Sequence, residues 1–493
     1  MKFSTARISS NIFSLTVGQA LNLLLNFVSI IFAARYLGVE DFGVFSYLLA
    51  TVFILSKIID FGLSPIIFRE YSKDSSNFSK INNGITLRLV LFFIVIAFYN
   101  IIGLILSFSE NQFLISNILF IGVILSSKFQ NFRDILEIPF KVDLKMHLPM
   151  LLAILDNLIL LILILLMPSL KAGLLYFVSA YIFSNAAGFF GILFSLNKKY
   201  GYRISLASSE IKWLIQESFP LFGFVIFSVA FQQIDVIMLK YLDSDFAAGI
   251  YAAATRLSFP LNILPTAIVS TVFPIIVSNL KSDPPKNDRI FLMVFKFLFI
   301  AAFSIAAVFS FQPEEIVRVI LGKQYLQSAA PLVYLLWAQV FLFINFFALD
   351  VFTAYNKQKF NFYYSVIIVA ISVVFNMIFI PYLSFNAPAY AKFVSGLISF
   401  IAVLFMVKQI GLSVEFSLWK ILLWIFTVMV LIYLVSFLNV FIYLALALLI
   451  LLLLTLYLKI FSLEEIRFIL KVFNLESFNE KLKWFYNKNE QSR

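Results

Sequence analysis

Runs of about 20 apolar residues, the length a helix needs to cross the roughly 30 Å hydrocarbon core of a bilayer, recur along the whole chain with only short polar connections. Backbone polar groups cannot go unpaired in lipid, so such runs mean helices; the alternating strands of a membrane barrel are absent. Hydrophobic residues make up 62% of the chain and charged residues 13%, against about a half and about a quarter in soluble domains. The runs lie near residues 12–34, 42–66, 84–106, 113–136, 148–167, 172–196, 213–241, 246–278, 290–312, 328–354, 361–383, 387–407, 418–437 and 440–458. The first ends at Arg35 rather than at a small-residue cleavage site, so it reads as a span and not as a signal peptide. The expected fold class is all-α integral membrane, with about 14 transmembrane helices.

Cysteine is absent, and His147, in a polar connection, is the single histidine. Disulfides, thiolate or histidine metal clusters and a cysteine nucleophile are thereby excluded, and no metal or cofactor is expected. The net charge of +11 reflects topology. With the N-terminus inside, the inner connections carry most of the Lys and Arg, from Arg69, Lys73 and Lys80 to the cluster between Lys459 and Arg493. The outer ones hold only Arg35, Lys171, Lys240, Arg318 and Lys323. This bias places both termini in the cytoplasm and removes nucleic acid as an expected partner.

The chain repeats itself weakly. At a shift of about 206 residues, Gly43-Val44-Phe45-Ser46 overlays Gly249-Ile250-Tyr251-Ala252. Arg35-Tyr36-Leu37 falls on Lys240-Tyr241-Leu242, and Pro65 near Pro274. The expected organisation is a six-helix bundle over residues 1–197, a cytoplasmic linker at 198–212, a second bundle at 213–409, two additional helices at 410–460 and an amphipathic tail at 461–493. Both halves start on the same side, as in transporters whose two bundles rock about a central cavity. In the tail, Ser462-Leu463-Glu464-Glu465 fits a capping box ahead of an interfacial helix.

Function is read from the polar groups that tolerate the membrane. Gln19, Asn22, Asn26 and Ser29 share one face of the first span, and the shift of 206 lands on Ser228, Gln232 and Asp235 at the same spacing. Such stripes glue helices together; two at equivalent places also suit facing walls of a wet cavity that binds sugar hydroxyls. Charges inside spans are costly unless paired or hydrated. Arg256 lies about ten residues, or about 15 Å, into its span. Lys57 and Asp60 share a face of the second span, and Arg88 and Lys296 lie nearer span ends, within snorkelling reach. Asp235 and Asp60 are the candidates for ion coupling, and Lys392 reads as an anchor near a span end. The excess of deep cations, Arg256, Lys57 and Arg88 with Arg35 beyond the first span, suits an anionic, phosphate-bearing substrate. No ATP-binding motif accompanies them, so an ion or substrate gradient must drive transport.

The segment Ala34-Arg35-Tyr36-Leu37-Gly38-Val39-Glu40-Asp41-Phe42-Gly43-Val44-Phe45 resembles the signature of Wzx-type polysaccharide flippases of the multidrug/oligosaccharidyl-lipid/polysaccharide superfamily. Asp60-Phe61-Gly62-Leu63 and Gln233-Ile234-Asp235 followed by Gly249-Ile250-Tyr251-Ala252-Ala253-Ala254-Thr255-Arg256 are similar to further patterns of that family. The resemblance implies a MATE-like arrangement in the bacterial inner membrane. It also implies a flippase that carries lipid-pyrophosphate-linked oligosaccharide, on an undecaprenyl carrier, to the periplasmic leaflet for O-antigen-type surface polysaccharide. A proton or sodium counter-ion, contact with polysaccharide polymerase machinery and a lipid-tail groove at the last two spans are further implications. The arginines that related lipid II flippases carry in the first helix are missing here. A multidrug antiporter would need deep acids to bind organic cations. A membrane-embedded polymerase or ligase would need a large outer loop, whereas the longest outer connection runs only from Pro313 to Gln327.

Overall fold

The computed structural model describes residues 5–75, 78–200, 208–282, 284–412 and 418–472. Among them the regular elements are helices throughout. They are α1 (Thr5–Leu37), α2 (Val39–Asp60), α3 (Leu63–Lys73), α4 (Ser79–Ile105), α5 (Glu110–Leu125), α6 (Phe132–Val142), α7 (His147–Leu165), α8 (Met167–Leu170), α9 (Leu174–Phe183), α10 (Ala186–Tyr200) and α11 (Ser208–Leu242). There follow α12 (Asp245–Ser258), α13 (Ile263–Ser282), α14 (Pro284–Phe311), α15 (Pro313–Ile320), α16 (Ala329–Ala354), α17 (Gln358–Leu383), α18 (Ala387–Gln409), α19 (Leu418–Val435), α20 (Val440–Tyr457) and α21 (Leu463–Val472). Eleven stretches among the described residues are long and apolar enough to cross a membrane. One of these, Gln358–Gln409, holds both α17 and α18, and the shorter apolar helices Glu110–Leu125 and Trp419–Val435 complete the expected fourteen. The chain is a multi-pass membrane protein.

Four runs expected as continuous spans are broken, the one at 172–196 by a turn at Ser184–Asn185 between α9 and α10. The run at 42–66 stops at Asp60, because Phe61 (φ 51°) and Gly62 (φ 71°) are both left-handed and reset the axis before α3. The run at 113–136 stops at Leu125; a single 3-10 turn, Ser127–Phe129, and a left-handed Gln130 (φ 50°) precede α6. The run at 246–278 is interrupted by the 3-10 turn Phe259–Asn262, where Pro260 and Pro265 each remove a backbone donor.

The chain separates into two compact units, residues 1–253 with 373–385 and residues 254–372 with 386–493. In the first, α11 lies along α2 and also packs on α3 and α4. In the second, α19 and α20 pack on α14 through Phe303, Ala307, Val308, Trp424, Val428, Tyr443 and Ala447. Buried Trp424 donates to Thr455 Oγ1 at 3.1 Å, and Tyr443 OH to the Val308 carbonyl. The opposite faces, with Phe426, Phe437 and Leu448, stay exposed, as lipid contact requires. Of the expected linker and tail, residues 201–207 and 473–493 lie outside the described residues. The capping box before α21 is formed: Glu465 N donates to Ser462 Oγ (3.2 Å) and Ser462 N to Glu465 Oε2 (2.6 Å). That carboxylate also takes the Lys296 ammonium on both oxygens at 2.7 Å, so Lys296 is matched within the protein rather than by snorkelling.

Candidate functional site

Arg256 occupies the last turn of α12, directly before the break at Phe259–Asn262. A helix C-terminus favours a cation, because the last carbonyls point outward unpaired. The side chain is half-buried. The break lies inside the 36-residue stretch Asp245–Leu280, about 21 Å from its start and about 27 Å from its end at 1.5 Å per residue. None of its four residues is buried. Asn262 Oδ1 accepts no hydrogen bond among the described residues, and Thr266 caps the Asn262 carbonyl at 3.0 Å. Proline spacing was the sequence signal for this break, and the sequence reading passed over it.

Two of the other expected phosphate contacts, Lys57 and Arg88, are drawn into the protein. Arg88 is fully buried on α4. It donates to the Asp60 carboxylate and the Asn131 carbonyl, and to Ser64 Oγ at 2.8 Å. Lys57 does not pair with Asp60; its Nζ donates to the Phe129 carbonyl at 2.9 Å and stands 5.0 Å from the Phe53 ring centroid. Asn131 Nδ2 in turn donates to the Ser56 carbonyl at 2.7 Å. Two cations thus satisfy backbone carbonyls freed where the chain turns between α5 and α6, and the Asn131 amide ties that turn to α2. Arg35 is exposed in the last turn of α1. A second buried arginine, Arg133, escaped the sequence reading, which placed it in an inner connection. It pairs with Asp156 and Glu137, while Gly188 N donates to Asp156 at 2.8 Å. A Cβ at Gly188 would displace that pair. Lys392, expected as an anchor, is 1% exposed.

The polar stripe of α1 divides. Gln19 is exposed, Asn22 accepts from Asn157 Nδ2 at 3.0 Å and so ties α7 to α1, and Asn26 Oδ1 and Ser29 Oγ have no hydrogen-bond partner among the described residues. On α11, Ser228 is half-buried, and Gln232 is exposed with its amide 3.4 Å from the Ser228 carbonyl. Asp235 is fully buried and accepts from Tyr251 OH (2.9 Å) and Asn376 Nδ2 (2.7 Å).

The repeat-related glycines meet. A Cβ on Gly43 would land on the Asp245 carbonyl oxygen and within 2.9 Å of Gly249 N; one on Gly249 would land on the Val39 carbonyl oxygen. Two small residues therefore let two backbones approach where α2 and α12 begin, as in small-residue packing of membrane helices. At the same end, Lys240 pairs with Asp245 and stands 5.3 Å from the Tyr47 ring centroid, and Tyr47 OH accepts from Gln112 at 2.6 Å. Gly43→Ala or Gly249→Ala forces backbones apart, an overpacking cost of about 1–3 kcal/mol. Each lowers the unfolding temperature in detergent, and the double variant falls short of the sum because the first substitution already opens the gap; additive losses would place the glycines in separate contacts.

The chain shares its fold with solved transporters. Against "Lipid II flippase MurJ, inward closed conformation" the TM-score is 0.74 at 16% identity, covering 90% of this chain and 98% of that one. An inward-facing multidrug resistance MATE family transporter of the MOP superfamily gives 0.60 at 13% identity, with 81% and 99% covered. The MATE multidrug transporter DinF-BH gives 0.59 at 18%, with 82% and 95% covered. No curated protein matches the sequence. The family described as "Polysaccharide biosynthesis protein" matches residues 8–280, more than half of the chain. By that match the chain belongs to the polysaccharide biosynthesis protein family.

Proposed function

We propose that the chain is a flippase. It moves lipid-pyrophosphate-linked oligosaccharide repeat units from the cytoplasmic to the periplasmic leaflet by alternating access, for surface polysaccharide synthesis. The observation that carries this reading is the unburied break at Phe259–Asn262 beside Arg256. Irregular backbone at membrane depth is tolerated only inside protein or against water. These four residues are only half-buried, so water in a cavity, rather than lipid, is the environment that fits their open side. A cation at its wall suits a pyrophosphate, which an arginine fork binds through two hydrogen bonds at once. Family membership supports a role in polysaccharide synthesis, and the fold shared with a lipid II flippase supports a lipid-linked cargo.

In this reading Arg256 is the principal phosphate contact and Arg35 meets the substrate outside the span. Lys57 and Arg88 act by holding the α5–α6 turn. Gln19, Asn26 and Gln232, with Asn22 and Ser228 beside them, face the sugars. Asp235 is the coupling carboxylate for a proton or sodium ion; Asp60 is already engaged by Arg88. The carrier is undecaprenyl, the location the bacterial inner membrane with both termini cytoplasmic, and the polymerase machinery receives the product. Deleting the gene is expected to leave lipid-linked repeat units on the cytoplasmic side and to remove surface polysaccharide. Efflux of cationic dyes by the reconstituted protein, with normal polysaccharide in the deletion strain, would replace this reading by a multidrug antiporter, which the MATE-type fold also accommodates.

A further inference from the structure

We infer that the first part of α11, residues 208–219, is a hinged arm that closes the cytoplasmic end of the transport path through an ionic latch on α3 and α4. The inference rests on the transport reading above and on a contrast between the two ends of α11.

The hinge is Pro220, which lies inside α11 and cannot donate to the carbonyl one turn back. The left-handed turn at Phe61–Gly62 seats against it. The Phe61 ring stacks on Phe222 at 4.7 Å, and a Cβ on Gly62 would come within 3.1 Å of Phe222 N and the Ser218 carbonyl oxygen. Below the hinge the polar ties to α3 and α4 involve charge, while Leu214 of the arm is fully buried. Arg69 Nη2 meets Glu217 Oε2 at 2.9 Å, Glu210 accepts from Ser79 and Asn83, and Lys80 Nζ stands 3.9 Å from the Trp213 ring centroid. Glu70 gathers the cations of α3 and α4, Arg69 at 2.9 Å, Lys73 at 2.8 Å and Lys80 at 3.5 Å, which presents them toward the arm's acids.

Beyond the far end of α11, where α2 and α12 begin, the contact is different: the backbones of these two helices approach each other through Gly43 and Gly249. Ion pairs as exposed as Arg69 and Glu217, at 47% and 41%, are screened by salt, whereas a close-packed backbone contact is not. The cytoplasmic end is therefore the one that yields to ionic strength. It does not yield to pH near neutrality. The Lys73 hydrogen bond, then those of Arg69 and the charge of Lys80, against the opposing effect of burial, hold Glu70 at about 2. A depressed carboxylate stabilises at every pH above its ordinary value of 4.5 and loses that contribution only on acidification toward about 2. Glu70 thus stays charged from pH 5 to pH 8, and salt is the variable that tests the latch.

The chain has no cysteine, so one introduced thiol reports alone. Ser218, fully buried beside the hinge, is the position to use. In inside-out vesicles carrying the full-length Ser218→Cys protein, labelling by a membrane-impermeant maleimide is expected to rise about tenfold when salt goes from about 0.05 M to about 0.5 M. Rates are referred to an exposed Ser72→Cys control. Arg69→Glu raises labelling at low salt, and the swap Arg69→Glu with Glu217→Arg lowers it again. Slow labelling in every case, or labelling indifferent to salt and to the swap, overturns the latch. A second measurement covers loss of the Ser218 variant. Joining Arg69→Cys to Glu217→Cys with a short bis-maleimide should stop lipid-linked oligosaccharide transport by the same protein that transports before linking; unchanged transport makes the contact static and overturns the inference. No transport before linking counts against the flippase reading, and the labelling result then decides the latch separately.

Discussion

Arg256→Ala is expected to abolish transport of the lipid-linked substrate while leaving the amount of protein in the membrane unchanged. A hydrogen bond to a charged group contributes about 1.5–3 kcal/mol net. A bidentate arginine–phosphate contact carries two of them, so transport should fall at least about 100-fold. Arg256→Lys keeps the charge and loses the fork, which places it between the two, down about tenfold. The fold tolerates the change because Arg256 lies in the last turn of α12, where the helix already ends, and the side chain is only half-buried. The comparison to make is surface polysaccharide and accumulated lipid-linked intermediate in cells carrying each variant, against membrane levels by immunoblot. Wild-type polysaccharide with Arg256→Ala would remove the pyrophosphate site from this position and leave the break at Phe259–Asn262 without a ligand.

The span plan was legible because its signal is collective. Fourteen apolar helices are announced by hundreds of side chains, and no tertiary contact can reverse the demand that lipid makes on the backbone. Gly43 and Gly249 were visible in the sequence as matching positions at a shift of about 206 residues, yet the contact of two backbones at them needed coordinates. The breaks were carried by single residues. Pro260 and Pro265 could have been read as an interruption, but the left-handed Phe61 has no sequence signature beyond the glycine that follows it. The site was legible as residue types and not as partners. Asp60, Lys57 and Arg88 were correctly singled out as costly charges, but three residues of separation suggested a Lys57–Asp60 pair. The structure instead brings Arg88 from the next helix to Asp60 and sends Lys57 to a carbonyl. Long-range pairing of this kind depends on helix rotation, which an apolar helix in an apolar solvent barely encodes. Arg133 was missed for the same reason: a cation beside a polar connection reads as topology until Asp156 is seen across from it.

Arg88→Ala is expected to remove the protein from the membrane altogether. Arg88 is fully buried, with Asp60 as its counter-charge and the Asn131 carbonyl and Ser64 hydroxyl completing its hydrogen bonds. Taking away one partner of a buried pair leaves the other charge uncompensated, at a cost of about 3–5 kcal/mol, against a total stability of about 5–15 kcal/mol. Asp60→Asn should be nearly as damaging, since it strands the guanidinium. The pair removed together, Asp60→Asn with Arg88→Met, should restore much of the protein, because an apolar substitute of similar volume for a buried ion pair is often close to neutral. Recovery stays incomplete, as the Asn131 carbonyl loses its donor at about 1–3 kcal/mol. Membrane level and transport, measured side by side in the three variants, separate two roles for Asp60. Recovery of both in the double variant assigns the pair to stability alone. Recovery of protein without transport returns Asp60 to the coupling role and moves it beside Asp235. Full membrane level in Arg88→Ala would show that the pair bears no weight, and the fixing of the α5–α6 turn by buried charge would have to be abandoned.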